Sequence, residues 1–344
     1  MQKCLQARRL SIPPCPRPAS ERHMQIIDAA AVDLALSYPA LVDTLASAFR
    51  QGAVQPVRHH HTIERPDGAA STLLLMPAWQ DFHAAGTSEG GYAGVKIVTV
   101  APDNNLRGKP AVTGVYLLMD GKTSEPLALI DGQRLTLWRT AAASALAARH
   151  LARADASRHL IIGAGALCPF LARAHASVRP ITETVIWNRT PQKAEAAAEA
   201  LQALGLNARA AADLDGEIAR ADVISSATIS TMPLVKGALL KPGAHVDLVG
   251  AFTPSMRESD DEAMRRARVF VDTRAGGLKE AGDIVLALQS GALTEDRVEA
   301  DLYDLVRGKH AGRSGDSDIT LFKSVGAAIE DLAAGIAVWE AAKR

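Results

Sequence analysis

The apolar positions change period along the chain. Over residues 28–51, Val32, Leu34, Leu36, Leu41, Leu45, Ala48 and Phe49 recur partly at helical spacing. Pro39 interrupts them, which predicts two short helices rather than one. From 53 to 130 the texture is that of strands and tight turns. The runs 71–76, 92–100, 113–119 and 126–130 are β-rich, and Asp67-Gly68, 103–105, Asp120-Gly121 and Asp131-Gly132 are turn signals between them. A mostly antiparallel sheet of hairpins is expected. An Ala-rich helix follows over 139–153. Strands and helices then alternate: strand 159–162, helix 166–177, strand 184–187, helix 191–204, and strands 222–225, 245–249 and 268–271. Such alternation predicts an α/β fold with a parallel sheet covered by helices. The tail, 320–343, reads as one long amphipathic helix with Leu321, Val325, Ala328, Ile329, Leu332, Ile336 and Trp339 on one face.

The chain has 344 residues, which suits two domains, with 48% apolar and 22% charged residues. Lys and Arg total 38, as do Asp and Glu. No global positive field exists for nucleic acid or an anionic membrane, so neither is an expected partner. No run of 18 uncharged apolar residues marks a membrane span. Cys4, Cys15 and Cys168 are too few and too scattered for a disulfide framework and read as reduced cytoplasmic thiols. Residues 1–23 hold Lys3, Arg8, Arg9, Arg17, Arg22 and four prolines without an apolar core. They do not read as a secretory signal, and a disordered tail or over-extended start is expected. Met24 opens the first helical pattern.

Gly163-Ala-Gly165-Ala-Leu-Cys168 follows an apolar strand and opens a helix, the context of a dinucleotide-binding turn. The first glycine permits the tight turn. The second lets a pyrophosphate approach the helix start, where free N–H groups and the dipole favour an anion. Cys168 takes the third place, usually Gly or Ala, and is still small. The next strand ends Trp187-Asn188-Arg189-Thr190. Enzymes that use NAD usually carry an acid here for the ribose 2′-hydroxyl. Asn188 has no charge to repel a 2′-phosphate, and Arg189 and Thr190 can bind one. NADPH is therefore expected in preference to NADH, which stays possible; the bland alternative is that Arg189 is a solvated surface charge.

Three cations stand at strand ends or turns of the first half: Arg58, Lys96 and Arg139. Lys96 interrupts an apolar run (Val95, Ile97, Val98), where a buried lysine needs a partner. Arg139 stands at the start of the Ala-rich helix. Together they could hold a substrate carboxylate; singly, each reads as a structural ion pair. The His59-His60-His61 run invites a metal reading. Alternate residues of a strand face opposite sides, so only His59 and His61 share a face, and no metal site is expected. Asp103, Asp120 and Asp131 read as turn residues, and Asp316 and Asp318 as caps ahead of the last helix.

The segments Gly94-Val-Lys96, Gly108-Lys-Pro110, Asp131-Gly-Gln-Arg-Leu-Thr136, Arg139-Thr-Ala-Ala-Ala-Ser-Ala-Leu-Ala147, Gly163-Ala-Gly165, Trp187-Asn-Arg189, Gly250-Ala-Phe-Thr-Pro254, Glu280-Ala-Gly-Asp283 and Phe322-Lys-Ser-Val-Gly326 together resemble the ornithine cyclodeaminase/μ-crystallin family, from about Met24 onward. The resemblance implies a Rossmann, doubly wound NAD(P)-binding domain over 139–319. It implies a discontinuous α+β substrate-binding and dimerisation domain over 24–138 plus 320–344. The site lies in the cleft between them, the last helix returns to the first domain, and the protein is a homodimer. By the same resemblance Arg58 and Lys96 hold the substrate carboxylate, and Arg139 lies near substrate and cofactor. Thr113, Ala166, Leu167, Asn188, Arg189, Thr228 and the strand end Val249, Gly250, Ala251, Phe252 match cofactor contacts. Ser324 and Val325 match the segment that closes over nicotinamide and substrate.

One departure is informative. Ornithine cyclodeaminases carry an aspartate in a Gly-x-Asp-x-Pro-type loop, as proton carrier and ammonium partner. Here the loop is Gly250-Ala-Phe252-Thr253-Pro254, with Phe252 in the acidic place. The ammonium of ornithine would lack a partner, whereas an apolar ring would fit. This form is similar to that of cyclic ketimine reductases, Δ1-pyrroline-2-carboxylate reductases in particular. It implies NADPH-dependent reduction of that small cyclic imino acid to L-proline, with Δ1-piperideine-2-carboxylate to L-pipecolate as a second activity. Lys96 or the Thr253 hydroxyl would relay the proton. The alternatives are ornithine cyclodeamination, alanine dehydrogenation, and a μ-crystallin-like protein that binds NADPH and a hydrophobic acid without turnover. The intact Arg58, Lys96 and Arg139 count against the last.

Overall fold

Two sheets share one buried helix. The computed structural model describes residues 24–82 and 90–343; residues 1–23, with Cys4 and Cys15, lie outside the described residues. The smaller sheet holds β1 (Gln25–Ile27), β2 (His59–Ile63), β3 (Ser71–Trp79), β4 (Tyr92–Val100), β5 (Val112–Asp120) and β6 (Pro126–Asp131), in the order β1-β6-β5-β4-β3-β2. β2 to β6 pair antiparallel, as the hairpin pattern predicts. β1 adds parallel to β6. Three residues carry no periodicity, so β1 is set by its neighbour and not by its own pattern. The 103–105 turn proves to be part of a 3₁₀ helix, Pro102–Arg107.

α1 (Ala29–Ala35) and α2 (Tyr38–Gln51) are the two expected helices. The chain breaks at Leu36-Ser37, and Pro39 sits in the first turn of α2, where its missing N–H costs nothing. α3 (Gly132–Leu151) begins seven residues before the expected start at Arg139. The Asp131 side chain accepts from the Arg134 N–H at 2.7 Å, so the Asp-Gly turn doubles as a helix cap. Arg139 therefore stands about two turns inside the helix and not at its start. Ala141, Ala142, Ala145, Ala147 and Ala148 are fully buried. Their small side chains let α3 pack on β4, β5 and β6 on one side and on β11 and β14 of the larger sheet on the other.

The larger sheet is wholly parallel, β13-β12-β14-β11-β10-β7-β8-β9. Its members are β7 (Arg158–Ile162), β8 (Glu183–Trp187), β9 (Ala208–Ala210), β10 (Val223–Ser226), β11 (His245–Leu248), β12 (Arg268–Val271), β13 (Val298–Asp301) and β14 (Thr320–Lys323). α4 (Cys168–Ala176), α5 (Pro191–Ala203), α6 (Leu214–Arg220), α7 (Asp261–Arg266), α8 (Arg274–Glu280), α9 (Gly282–Ser290) and α10 (Leu302–Val306) connect them. The chain enters at β7, runs outward through β8 and β9, then crosses back to β10. That reversal opens a crevice at the carboxyl ends of β7 and β10, where open α/β sheets bind ligands.

The single helix expected over 320–343 is two elements. Thr320–Lys323 is β14, inserted between β11 and β12, and only Ala328–Ala342 is helix, α11. A strand buried on both faces shows no alternation, so its four residues merge with the helical pattern behind them. β14 thus belongs with the parallel sheet, and α11 alone returns to the smaller sheet, packing on α2, α3, β3 and β4. Asp318 does not cap α11. It pairs with Arg268 at 2.8 Å and accepts from the Ser314 and Gly315 N–H groups. Asp316 is exposed in the same loop.

Under the larger sheet lies a buried polar layer. Asp247 accepts from Ser225 Oγ and Ser144 Oγ at 2.8 Å and faces His175 Nε2 at 3.2 Å; Ser225 also faces His159 Nε2 at 2.9 Å. His245 Nδ1 faces Thr320 Oγ1 at 3.0 Å. Burial holds His159 well below its ordinary pKa and His245 down at about 3. Both rings are neutral in the fold and gain a proton on unfolding below about pH 6.5, so each removes stability as pH falls through that value. Burial raises Glu258 and Glu330 to about 7, which acts in the opposite direction, so the test is a difference. The unfolding free energy of His245→Asn minus that of wild type should rise by about 1 kcal/mol from pH 7 to pH 5.5 in urea titrations. A difference that stays constant would exclude His245 from the acid response.

Candidate functional site

Lys96 owes its burial to strand geometry. Val95 and Ile97 point to the outer face of the smaller sheet, so Lys96 points inward, in a cross-strand row with Met76 and Tyr116. The partner it requires comes from the far end of the chain. Lys96 Nζ lies 2.9 Å from Asp331 Oδ1, in the first turn of α11. Arg139 Nε lies 2.9 Å from the same oxygen, and Arg139 Nη1 lies 2.8 Å from Glu330 Oε2. Sequence reasoning found both cations and neither acid. The available signal was two carboxylates inside an apolar helix, Glu330 and Asp331, where only buried cations would account for them.

Arg58 joins the group through Gly326. Arg58 Nη2 donates to the Gly326 carbonyl at 2.5 Å, and Arg58 Nε pairs with Glu280 at 3.3 Å. Gly326 has φ +80°, and a Cβ there would stand 2.3 Å from Arg139 Nη1, so only glycine lets the strand end pass over the guanidinium. The N–H groups of Val325 and Gly326 both donate to Asp272 Oδ2 at 2.7 Å. Ser324 N–H donates to Leu248 O at 3.1 Å. The cleft beside Arg58 is lined by Met76, Thr273, Gly276, Glu280 and Ala327.

Burial acts differently on each member of this group. Burial, aided by the charges of Arg139 and Arg58 and opposed by Asp331, lowers Lys96 to about 8. Burial pushes Glu330 up to about 7. Against the same burial, Arg139 and Lys96 hold Asp331 below the usual carboxylate range. Lys96 and Arg139 are thus two buried cations set against Asp331 and Glu330, with the Glu330 proton held more tightly than usual. Arg58, which borders the cleft, adds a third cationic group from which a small anion could be held.

At the crevice between β7 and β10, Gly163 has φ +109°, and a Cβ there would meet the Ala227 carbonyl at 2.7 Å. Gly165 and Ala166 are exposed, and among the described residues the N–H groups of Gly165, Ala166 and Leu167 have no partner. Asn188 Oδ1 accepts from Ala164 N–H at 3.3 Å, and its Nδ2 donates to Thr190 O at 3.0 Å, joining the two loops. Arg189 and Thr190 are exposed beside them. The close turn, the unengaged N–H groups and the exposed cation fit a dinucleotide phosphate. Burial pushes the Cys168 thiol up to about 12, so it packs and does not react.

Thr228, Val249 and Gly250 meet at the next strand ends. Val249 N–H donates to Ser226 O at 2.8 Å, and a Cβ on Gly250 would lie 2.1 Å from the Thr228 carbonyl. Two expected site residues stand apart from the cation group. Thr113 is exposed at the start of β5 with its hydroxyl 3.0 Å from that of Thr99. The Thr253 hydroxyl faces Ser255 at 3.4 Å. Phe252 is 41% exposed on the same loop, so no charge occupies its place. His59 and His61 do share a face, with rings 6.4 Å apart, on an exposed strand.

The chain belongs to the ornithine cyclodeaminase/mu-crystallin family, whose model matches residues 22–344. A Δ1-pyrroline-2-carboxylate reductase of Paracoccus denitrificans is 39% identical over 281 residues, 81% of this chain and 89% of that protein. The structure of Thermococcus litoralis Δ1-pyrroline-2-carboxylate reductase in complex with NADH and L-proline superposes with a TM-score of 0.86 at 31% identity, covering 93% of this chain and 98% of that one. A probable ornithine cyclodeaminase from Bordetella pertussis superposes at 0.79 and 32% identity, covering 94% and 98%. The α/β fold with its parallel Rossmann sheet is that of these proteins, and the chain is a nicotinamide-dependent oxidoreductase of this family.

Proposed function

We propose that this member of the family reduces a cyclic ketimine carboxylate: Δ1-pyrroline-2-carboxylate to L-proline, and Δ1-piperideine-2-carboxylate to L-pipecolate as its second substrate. The observation that carries the reading is the gathering of Arg58, Lys96 and Arg139 around Gly326 and Asp331, together with Phe252 in the place where an acid would meet an ammonium. A diamino acid would bring an ammonium with no partner. Glu280, the acid lining the cleft, is already engaged by Arg58.

Arg58 and Lys96 hold the carboxylate, and Arg139, locked by Asp331 and Glu330, fixes the floor beneath them. Holding the carboxylate orients the C=N bond, and positioning supplies most of the acceleration. A nicotinamide bound in the crevice would supply the hydride for C2, and one proton on nitrogen completes the secondary amine. Lys96, with its proton loosened to about 8 by burial, is the better relay; the Thr253 hydroxyl is turned to Ser255. Arg189 and Thr190 supply the 2′-phosphate contacts that favour NADPH, and NADH remains usable because nothing at Asn188 depends on the phosphate.

A homodimer goes with this reading. On the outer face of the smaller sheet, the cross-strand rows Leu75–Ile97–Val115 and Pro77–Val95–Leu117 form a half-buried apolar patch. A second copy of the chain is the partner that covers it.

NADPH consumption with Δ1-pyrroline-2-carboxylate, run beside an ammonia assay with ornithine and NAD, tests the reaction. Rapid oxidation of NADPH with proline formed is expected. Ammonia from ornithine without ketimine reduction would replace the reading by cyclodeamination, and tight NADPH binding without either reaction by a binding protein. Lys96→Met should cut turnover about 100-fold or more while leaving the NADPH dissociation constant within about twofold; retained turnover would remove Lys96 from the chemistry. Arg189→Ala should weaken NADPH about tenfold and leave NADH unchanged. Equal effects on both would show that Arg189 does not meet a 2′-phosphate. Sedimentation should give twice the chain mass, falling to one chain in Ile97→Lys; a dimer unaffected by that charge would place the interface elsewhere.

A further inference from the structure

Beneath the loops that follow β10 and β11 lies a second ionic group, outside the substrate cations. Glu258 is fully buried. Its Oε1 accepts from Ser226 Oγ at 2.7 Å, from Thr228 N–H at 2.7 Å and from Thr228 Oγ1 at 2.8 Å. Its Oε2 is buried with no hydrogen-bond partner among the described residues. A Cβ on Gly250 would stand 2.5 Å from Oε1, so the backbone of that loop rests on the carboxyl. Ala251, next along, is held at φ +47°, a conformation that an alanine adopts only under constraint.

The rest of the group fixes Glu258 and the loop from behind. Asp283, fully buried at the start of α9, accepts from the N–H groups of Glu258 and Ser259 at 2.9 and 2.8 Å. Lys323, fully buried on β14, donates to the carbonyls of Leu248 (3.3 Å) and Gly250, with Asp283 Oδ2 at 3.6 Å. The Glu258 carboxyl thus holds the Thr228 loop by hydrogen bonds and packs against Gly250, whose carbonyl is held by Lys323, while Asp283 holds the Glu258 backbone. None of the three serves the substrate carboxylate.

We propose that Glu258 is a positioning residue for the nicotinamide end of the dinucleotide: its ionised carboxyl ties down the Thr228 loop, against which Gly250 packs, while Lys323 holds the Gly250 side and Asp283 the Glu258 backbone. The inference rests on the dinucleotide reading of the crevice and is independent of which imine is reduced. Three donors from Ser226 and Thr228 converge on one oxygen, so the ionised form holds that loop more tightly than the protonated one. Burial, with the charge of Asp283 adding to it and Lys323 opposing, raises this carboxyl to about 7, which brings the change into an accessible range.

The test is the dissociation constant for NADPH, read from tryptophan quenching without any substrate. Glutamine copies the protonated carboxyl and cannot ionise. The ratio of the Glu258→Gln constant to that of wild type should be near one at pH 6 and rise to about fivefold by pH 8.5. Glu330 titrates in the same range but is common to both proteins and cancels in the ratio. Glu258→Ala, checked by near-ultraviolet circular dichroism, should bind about tenfold more weakly throughout. A ratio independent of pH, or an alanine variant within twofold of wild type, overturns the proposal. A wild-type protein that binds no dinucleotide at all overturns the oxidoreductase reading beneath it, whereas one that binds NADPH but reduces no ketimine leaves the positioning test intact.

Discussion

A buried lysine cannot stand alone, and much of this architecture follows from how Lys96 is paired. Removing either partner of a fully buried ion pair leaves an uncompensated charge and costs about 3–5 kcal/mol. Asp331 lies 235 positions from Lys96 and 192 from Arg139. The pairing therefore requires the last helix to dock against β4 and α3 before the cleft can exist. Three segments remote in sequence meet at one carboxylate, and the site is complete only when the C-terminal helix is in place.

The path of the chain into that helix explains the cleft. β14 is a central strand of the parallel sheet, and α11 covers the other sheet. Residues 324–327 cross between them. Asp272 catches two successive N–H groups of this crossing, and Gly326 rides over the Arg139 guanidinium. The crossing thus touches the larger sheet through Ser324, the Arg58 side chain through the Gly326 carbonyl, and the ion cluster through Arg139. A segment tied at so many points sets the distance between the two sheets, and with it the distance between the ion cluster and the crevice at the ends of β7 and β10.

The hairpins of the smaller sheet were legible in the sequence because one face is buried and the other only half-buried, which writes alternation into β3, β4 and β5. Lys96 was legible for the same reason, as a charge on the buried face. The glycine turn between β7 and α4 was legible because Gly163 and Gly165 sit between an apolar strand and a helix. β14 was not, because a short strand buried on both faces has no period of its own. Glu330 and Asp331 were missed because, although two acids inside an apolar helix signal buried cations, nothing local says which cations those are. Glu258 and Lys323 were hidden likewise: their meaning lies in which strand ends the topology brings together.

Two buried ionic groups hold the ends of the sheets and the last helix together. Lys96 and Arg139 are set against Asp331 and Glu330 where β4, α3 and α11 meet. Lys323 faces Asp283, and Asp283 in turn holds the Glu258 backbone, under the carboxyl ends of β10 and β11. The first group is held together by its own side chains, Lys96 and Arg139 on the Asp331 and Glu330 carboxyls, and the second largely by the backbone, through the N–H groups that meet Asp283 and Glu258 and the carbonyls that meet Lys323. The cost of burying both sets of charges is met in folding, so their arrangement is fixed before any ligand arrives.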